Sequence, residues 1–369
     1  MTAALAVHTC RVVLRLWRSK LTAGWEGARF MKAVRLHEFG GPEVLRYEEI
    51  SDPRPRKDQV LIRVRACAMN HIDLWVRRGL PGVKLPHIPG SDIAGEIIEV
   101  GEYVRGFHAG QRVLIAPMVF CNQCAKCVAG WQNQCPGFSV LGNLADGGDC
   151  ELIAVPAVNV IPIPSTLDFN QAASVPLVFL TAWHMLNLAA IRPGQTVLVL
   201  GANSGVGIAA IQIAKLFQAR VIATAGDERK SQRAQELGAD HVINHYKQKI
   251  SEETRNITHK EGVDIVVEHV GEATWNESVK SLKLGGKLVT CGATSGFDAA
   301  IDLRFLFARQ LSLIGSYMGT MSELHEVLRH VFSGRLKPVV DHLFPLSEVR
   351  AAHEYMEKSL MFGKIVLNP

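Results

Sequence analysis

Apolar and polar positions alternate along residues 31–160. The stretches "QVLIRVRACAM", "IAGEIIEVG" and "QRVLIAPM" follow a period of two, and the punctuation "FGGP" and "GLPG" supplies turns between such runs. That pattern predicts short strands with one buried face, forming a β-rich domain of about 130 residues. The proline-rich stretch "VIPIPSTLDF" closes it.

The pattern changes near residue 168. "FNQAASVPLVFLTAWHMLNLA" reads as helix interrupted by Pro176. Strand and helix then alternate: "TVLVLG", a glycine turn, the helix "GIAAIQIAKLFQA", the strand "RVIATAG", the helix "ERKSQRAQELG" and a short "HVIN". Further strands are "GVDIVVEHV", "GGKLVTCG" and "LSLIGSYM". Alternating elements with wholly apolar strands predict a parallel, doubly wound α/β sheet. The tail carries an amphipathic helix, "SELHEVLRHVFSG", then a strand, the helix "LSEVRAAHEYMEKS" and a last strand, "GKIVLNP".

A chain of 369 residues, 48% hydrophobic and 20% charged, fits two domains with large cores. Of its net charge of +5, residues 1–30 carry +4, from Arg11, Arg15, Arg18, Lys20 and Arg29 against Glu26. The near-neutral remainder offers no nucleic-acid-binding face. The basic segment reads as a disordered extension or a transit-like peptide, which makes the expected location cytoplasmic, or the mitochondrial matrix in the second case. No apolar run in it is long enough for a membrane span.

The glycine turn carries the first chemical signal. In "VLVLGANSGVGIAAIQIAK" a buried strand runs into Gly201, Ala202, Ser204, Gly205, Val206 and Gly207 and then into a helix. Glycines allow a tight turn and close approach to a pyrophosphate, and the helix start supplies free N–H groups. At the tip of the next strand, Thr224 to Gly226 are small and neutral, Asp227 and Glu228 follow, and Arg229 and Lys230 come behind. The basic pair favours NADPH over NADH, while the acidic pair keeps NADH open.

Cys121, Cys124, Cys127 and Cys135 give C-x₂-C-x₂-C-x₇-C. Four thiolates close a tetrahedron around one Zn²⁺ and leave no position for substrate, so this zinc would be structural. An iron–sulfur cluster is the alternative, but ferredoxin-type runs use a shorter last spacing and commonly a second cysteine set.

The β-rich start, the Cys₄ loop and the later dinucleotide fold together resemble the medium-chain dehydrogenase/reductase superfamily. "GSDIAGEIIEVG", "GANSGVGIAAIQIAK", "ELGADHVIN" and "GGKLVTCGATSG" are most like its quinone oxidoreductase branch. The resemblance implies a GroES-like catalytic domain (31–164 and 318–369), a Rossmann domain (165–317), an active cleft between them, and a homodimer or homotetramer. It also implies cofactor contacts at Thr181, in "FLTAWHM", and at Gly292.

Zinc alcohol dehydrogenases of this superfamily carry a catalytic metal, and the resemblance allows each ligand position to be compared. The first cysteine position falls on Asn70, the histidine of "GHE" on Ser91, and no cysteine occurs in "ASVPLVFLTAWHML". The expectation is a metal-free site in "ACAMNHIDLW", in which Asn70 donates to a developing oxyanion or holds the nicotinamide ribose, His71 relays a proton and Asp73 orients its neighbours. Cys67 reads as a buried apolar filler. The expected reaction is hydride transfer between the cofactor and a small quinone, enone, aldehyde or alcohol. Two alternatives stand beside it: an alcohol dehydrogenase whose zinc is held by His71, Asp73 and Asp92, and a non-catalytic NADPH-binding protein.

Overall fold

A computed structural model describes residues 29–369. Most of the basic segment 1–30 therefore lies outside the described residues, and with it the transit-peptide expectation. The β-rich part opens with the antiparallel pair β1 (Phe30–Leu36) and β2 (Leu45–Ser51). A larger sheet is built on β3 (Gln59–Ala68), β4 (Asp92–Val100), β5 (Arg112–Ile115), β8 (Leu152–Pro156) and β9 (Val160–Pro162). The short strands β6 (Met118–Val119) and β7 (Ser139–Val140) pair at the two ends of the cysteine loop.

The second sheet contains β10 (Thr196–Val199), β11 (Arg220–Ala225), β12 (His241–Asn244), β13 (Val263–Glu268), β14 (Leu282–Thr290) and β15 (Ser312–Gly315). All its pairings are parallel, in the order β12-β11-β10-β13-β14-β15. β10, the first of these strands in the chain, therefore lies between β11 and β13, and the winding direction reverses there. Such a reversal leaves a crevice outside the carboxyl ends of β10 and β13.

Pro176 divides the expected helix in two, as Phe169–Ala173 and Pro176–Leu188, and sits in the first turn of the second. Proline lacks the N–H that a first turn leaves unpaired anyway, so it starts this helix rather than breaking it. The helix is apolar on nearly every side and almost wholly buried, packed on the helices Gly205–Leu216 and Met321–Phe332.

The tail returns to the first sheet. β16 (Val340–Pro345) lies parallel to β17 (Lys364–Asn368), and β17 pairs antiparallel with β3, setting Val366 opposite Ala68. One apolar cluster runs continuously from Ala66, Ala94 and Leu114 through Val178 and Leu180 to Val197, Ile211 and Val366, so the two sheets share a core. Among the described residues no helix is long and apolar enough to cross a membrane.

Candidate active site

The stretch that carries Asn70 becomes the end of β3 and the start of the helix His71–Arg78. Asn70 is its N-cap, with extended backbone, and Asp73 at the third helical position reaches back to accept the Asn70 backbone N–H at 2.7 Å. Gly79 (φ +104°) ends the helix in the left-handed region. Local chemistry therefore places both residues before any tertiary contact is made.

The Asn70 side chain is buried, and its amide is occupied on both sides. Nδ2 donates to Asp92 Oδ2 at 3.0 Å and more weakly to Ala68 O at 3.4 Å. Oδ1 accepts from Lys364 Nζ at 2.5 Å, and the same ammonium donates to Asp92 Oδ2 at 3.0 Å. The Lys364 and Asp92 side chains are 5% and 0% exposed, so this is a fully desolvated ion pair. The other oxygen of Asp92 accepts the Leu177 N–H at 2.8 Å, at the start of the helix Pro176–Leu188. An acid, an amide and an ammonium from three distant parts of the chain thus satisfy one another.

Behind this cluster the polar groups are poorly matched. Asp73 and Asp149 are buried, and each keeps one oxygen without a partner. Burial pushes the Asp73 carboxyl up to about 6, and burial with the Asp73 charge pushes Asp149 up to about 7. Cys67 is fully buried among apolar side chains beside Asp149, with its thiol raised by that burial. Its strand position suggested an apolar filler; it is buried as expected, but its thiol also meets the Asp149 carboxylate.

His71 is half-buried at the start of the helix that carries Asp73. It packs edge-on against Trp75, with ring centroids 5.4 Å apart, and Trp75 reaches Phe297 at 6.3 Å on the loop after β14. Burial lowers the His71 pKa, with smaller contributions from Arg78 and His269, so the imidazole is neutral at pH 7. Phe297 also lines a cavity of about 560 Å³ with Trp275, Thr290, Gly292 and Tyr317, outside the carboxyl ends of β14 and β15.

The glycine turn joins β10 to the helix Gly205–Leu216. Gly201 has φ +57°, and a Cβ on Gly207 would meet Gly201 O at 2.2 Å, so only glycine lets helix and strand pack this closely. Ala202 N–H and Gly201 N–H donate to the backbone oxygen and the hydroxyl of Thr224, both at 2.9 Å. Ser204 caps the helix, accepting the Gly207 N–H at 2.9 Å, and Gly205 and Val206 form its first turn.

Other predicted residues are placed less uniformly. Asp227 caps the helix Glu228–Glu236, Arg229 is exposed on its first turn, and Lys230 is tied to Ser359 O at 2.9 Å. Thr181 is buried with its hydroxyl 3.8 Å from Met318 Sδ. Lys364, His269 and Glu268 were not singled out by the sequence. A lysine that opens an otherwise apolar terminal strand, directly after a glycine at φ +126°, is the signal that would have marked the first.

The four cysteines converge into a separate lobe. Their sulfurs all lie within 4.8 Å of one another, with Cys121 Sγ 3.9 Å from Cys127 and 3.6 Å from Cys135. A Zn–S bond of about 2.3 Å makes a tetrahedral edge of about 3.8 Å, so the cluster fits one zinc ion. The backbone N–H groups of Gln123 and Cys124 lower the Cys121 thiol to about 6, favouring the thiolate that a metal needs.

With this geometry in place, the relatives become informative. Residues 56–165 match the alcohol dehydrogenase GroES-like domain, and residues 205–333 match the zinc-binding dehydrogenase domain. The quinone oxidoreductase of Rattus norvegicus is 32% identical over 352 residues, covering 92% of this chain and 98% of that protein. The chain belongs to the medium-chain dehydrogenase/reductase superfamily. The acryloyl-coenzyme A reductase of Metallosphaera sedula is 32% identical, covering 91% of this chain and 99% of its own. A crystal structure of an NAD-dependent alcohol dehydrogenase superposes with a TM-score of 0.89 at 43% identity, covering 92% of this chain and all of that one. The chain is accordingly an oxidoreductase with a GroES-like domain, a pyridine-nucleotide-binding fold and a cysteine cluster suited to zinc.

Proposed function

We propose that the protein moves hydride between NADPH and the electron-poor carbon of a quinone, enone or aldehyde, or the reverse from an alcohol, without a catalytic metal. The observation that carries this reading is the ammonium of Lys364, 2.5 Å from Asn70 and 3.0 Å from Asp92. It supplies the positive charge of the cluster from within, at the positions where the zinc branch places ligands. Ser91 there is 0% exposed, and His71 is turned towards Trp75. Among the described residues only the four cysteines bring three or more His, Cys, Asp or Glu ligand atoms together, which argues against zinc held by His71, Asp73 and Asp92.

The bound dinucleotide supplies the hydride, held by the glycine turn and by Thr181 and Gly292. The chain's own work is orientation, exclusion of water and movement of one proton. A carbonyl that receives hydride also needs a proton on oxygen, and neutral His71 is suited to deliver it from solvent. Asn70, expected as a donor to an oxyanion or to the nicotinamide ribose, has its amide taken up by Asp92 and Lys364, so its part is to hold the floor of the cleft rigid. The exposed Arg229, on the first turn of the helix that follows β11, supports NADPH, since Asp227 is used as a helix cap. One structural zinc in the cysteine lobe and assembly as a homodimer or homotetramer complete the reading.

The test is oxidation of NADPH and NADH by the purified full chain against a panel of quinones, enones, enoyl thioesters and aldehydes, with zinc counted in the same preparation and mass by light scattering. Turnover with one zinc per chain is expected. Two zinc ions per chain, with activity that disappears when the second is chelated, would favour the alcohol dehydrogenase alternative. Cofactor binding with no turnover on any substrate would favour the non-catalytic one.

A further inference from the structure

His269 lies at the carboxyl end of β13, beside the glycine turn at the end of β10. A Cβ on Gly201 would come within 3.1 Å of His269 Cε1. This is the crevice at which the sheet reverses direction, the place where open parallel sheets bind their ligands. The turn behind His269 is fixed by Glu268, a fully buried carboxylate. It accepts from the Val270 N–H at 2.6 Å, the Gly271 N–H at 3.0 Å, Thr274 Oγ1 at 2.9 Å and Ser278 Oγ at 2.5 Å. So many donors on one buried acid hold the imidazole in place from below.

The hydrogen bonds of the imidazole determine where its proton sits. Nε2 is 2.9 Å from Leu200 O and 3.2 Å from Ser204 Oγ. A carbonyl oxygen only accepts, so Nε2 carries a hydrogen and has no lone pair. Ser204 Oγ can then only accept from it. The same oxygen accepts the Gly207 N–H at 2.9 Å. Both acceptor positions of the hydroxyl are filled, and among the described residues its own hydrogen has no acceptor. Burial lowers the His269 pKa, which keeps the ring neutral.

We propose that His269 is a cofactor-positioning residue: by donating Nε2–H to Leu200 O and Ser204 Oγ, it fixes the Ser204 hydroxyl as a donor to the pyrophosphate of the bound dinucleotide. Backbone amides of a glycine turn cradle a pyrophosphate in any case. Here a side-chain donor joins them, and its direction is set by a residue 65 positions away. Without the imidazole, the serine hydroxyl is free to turn its hydrogen to a backbone carbonyl. The inference rests on the proposed use of a nicotinamide dinucleotide.

The experiment is calorimetric titration of ADP-ribose, which carries the pyrophosphate without the nicotinamide, into the zinc-loaded full chain. The variants are His269→Leu, His269→Gln, Ser204→Gly and the Leu/Gly double. Glycine keeps an N-cap at little cost, so Ser204→Gly removes the hydroxyl without unravelling the helix. Each of His269→Leu and Ser204→Gly is expected to weaken ADP-ribose about tenfold, the loss of one hydrogen bond to a charged group. The double is expected to fall within about twofold of either single, because both remove the same interaction. His269→Gln, whose amide nitrogen reaches the same acceptors, is expected to stay within about threefold of wild type.

Unchanged affinity in His269→Leu, or a loss that persists undiminished in the Ser204→Gly background, overturns the assignment. If His269→Leu does not fold, the cycle is run with His269→Asn, which is too short to reach both acceptors; wild-type affinity there overturns it equally. Wild-type protein that binds neither ADP-ribose nor NADPH would fail the dinucleotide reading itself, whereas binding with an additive cycle fails only the role of His269.

Discussion

The cysteine lobe and the Asn70 cluster are both knots of polar side chains, and they differ in the origin of their positive charge. The lobe brings four sulfurs within 4.8 Å of one another, an arrangement that four thiolates sustain only around a cation from outside. The Asn70 cluster brings its own, in the buried ammonium of Lys364. They also differ in how they are built. The cysteines come from fifteen consecutive residues, whereas Lys364 and Asn70 are 294 residues apart and meet only because β17 pairs with β3. The cysteine lobe leaves room for a cation that the chain does not supply, whereas the charge of Asp92 is met from within the chain.

That contrast can be broken most forcefully at the lobe. Cys127→Ser is expected to reduce bound zinc from one per chain to none. It should lower the melting temperature by about 10 °C, several kcal/mol in a chain of this length. Metal analysis alongside a thermal melt checks it, and a zinc-free variant that melts with wild type would remove the lobe's structural role. At the Asn70 cluster the corresponding change is Lys364→Met, which leaves the buried Asp92 charge without its ammonium, with only the Asn70 amide and the Leu177 N–H to hold it. Breaking a buried pair from one side costs about 3–5 kcal/mol. Denaturant unfolding should show that loss, and the double variant with Asp92→Asn should recover at least half of it, because no unpaired charge then remains. A single variant as stable as wild type would mean that the ammonium balances nothing.

The same contrast explains what could be read in advance. Cysteine spacing and the glycine turn are local, so a short window of sequence contains the whole site. The parallel sheet was legible because its strands are continuously apolar, as in "TVLVLG" and "GVDIVVEHV". Asn70 drew notice only against a family pattern, and its amide proves to be engaged by Asp92 and Lys364, contacts that no periodicity reports. Pro176 looked like a break and is a helix start. His269 stayed hidden inside an ordinary-looking strand end, because its importance lies in the backbone oxygen and hydroxyl it meets across the crevice.

Behind the balanced cluster lies an unbalanced one, and it predicts a pH dependence. Asp149 is buried with one oxygen unpartnered, and its folded pKa of about 7 stands above the usual value near 4 for an unfolded aspartate. Between those values the folded state holds more protons than the unfolded one. This contribution to stability is therefore full below about pH 4 and is lost as pH rises through about 7. Asp149→Asn removes the titration. At pH 8 it is expected to be more stable than wild type by roughly 1–3 kcal/mol, an advantage that shrinks towards pH 4. Unfolding free energies measured across that range check the sign, and a constant difference would exclude Asp149 as the titrating group.

The smallest effect is expected at the cofactor's adenosine end, where the same principle acts on the surface. Asp227 accepts the Lys230 N–H at 2.8 Å as a helix cap, and the Lys230 ammonium is held by Ser359 O at 2.9 Å. Arg229 is exposed on the same turn, which leaves it as the cation best suited to meet a ribose 2′-phosphate. Arg229→Ala is expected to weaken NADPH about tenfold while NADH binding changes by less than about twofold, since only the phosphate is lost from the comparison. Salt should narrow the difference, because the contact is solvent-exposed and screened. Paired titrations of NADPH and NADH at low and high ionic strength make the check. Equal losses for both cofactors would place Arg229 outside the phosphate site and return the preference to NADH.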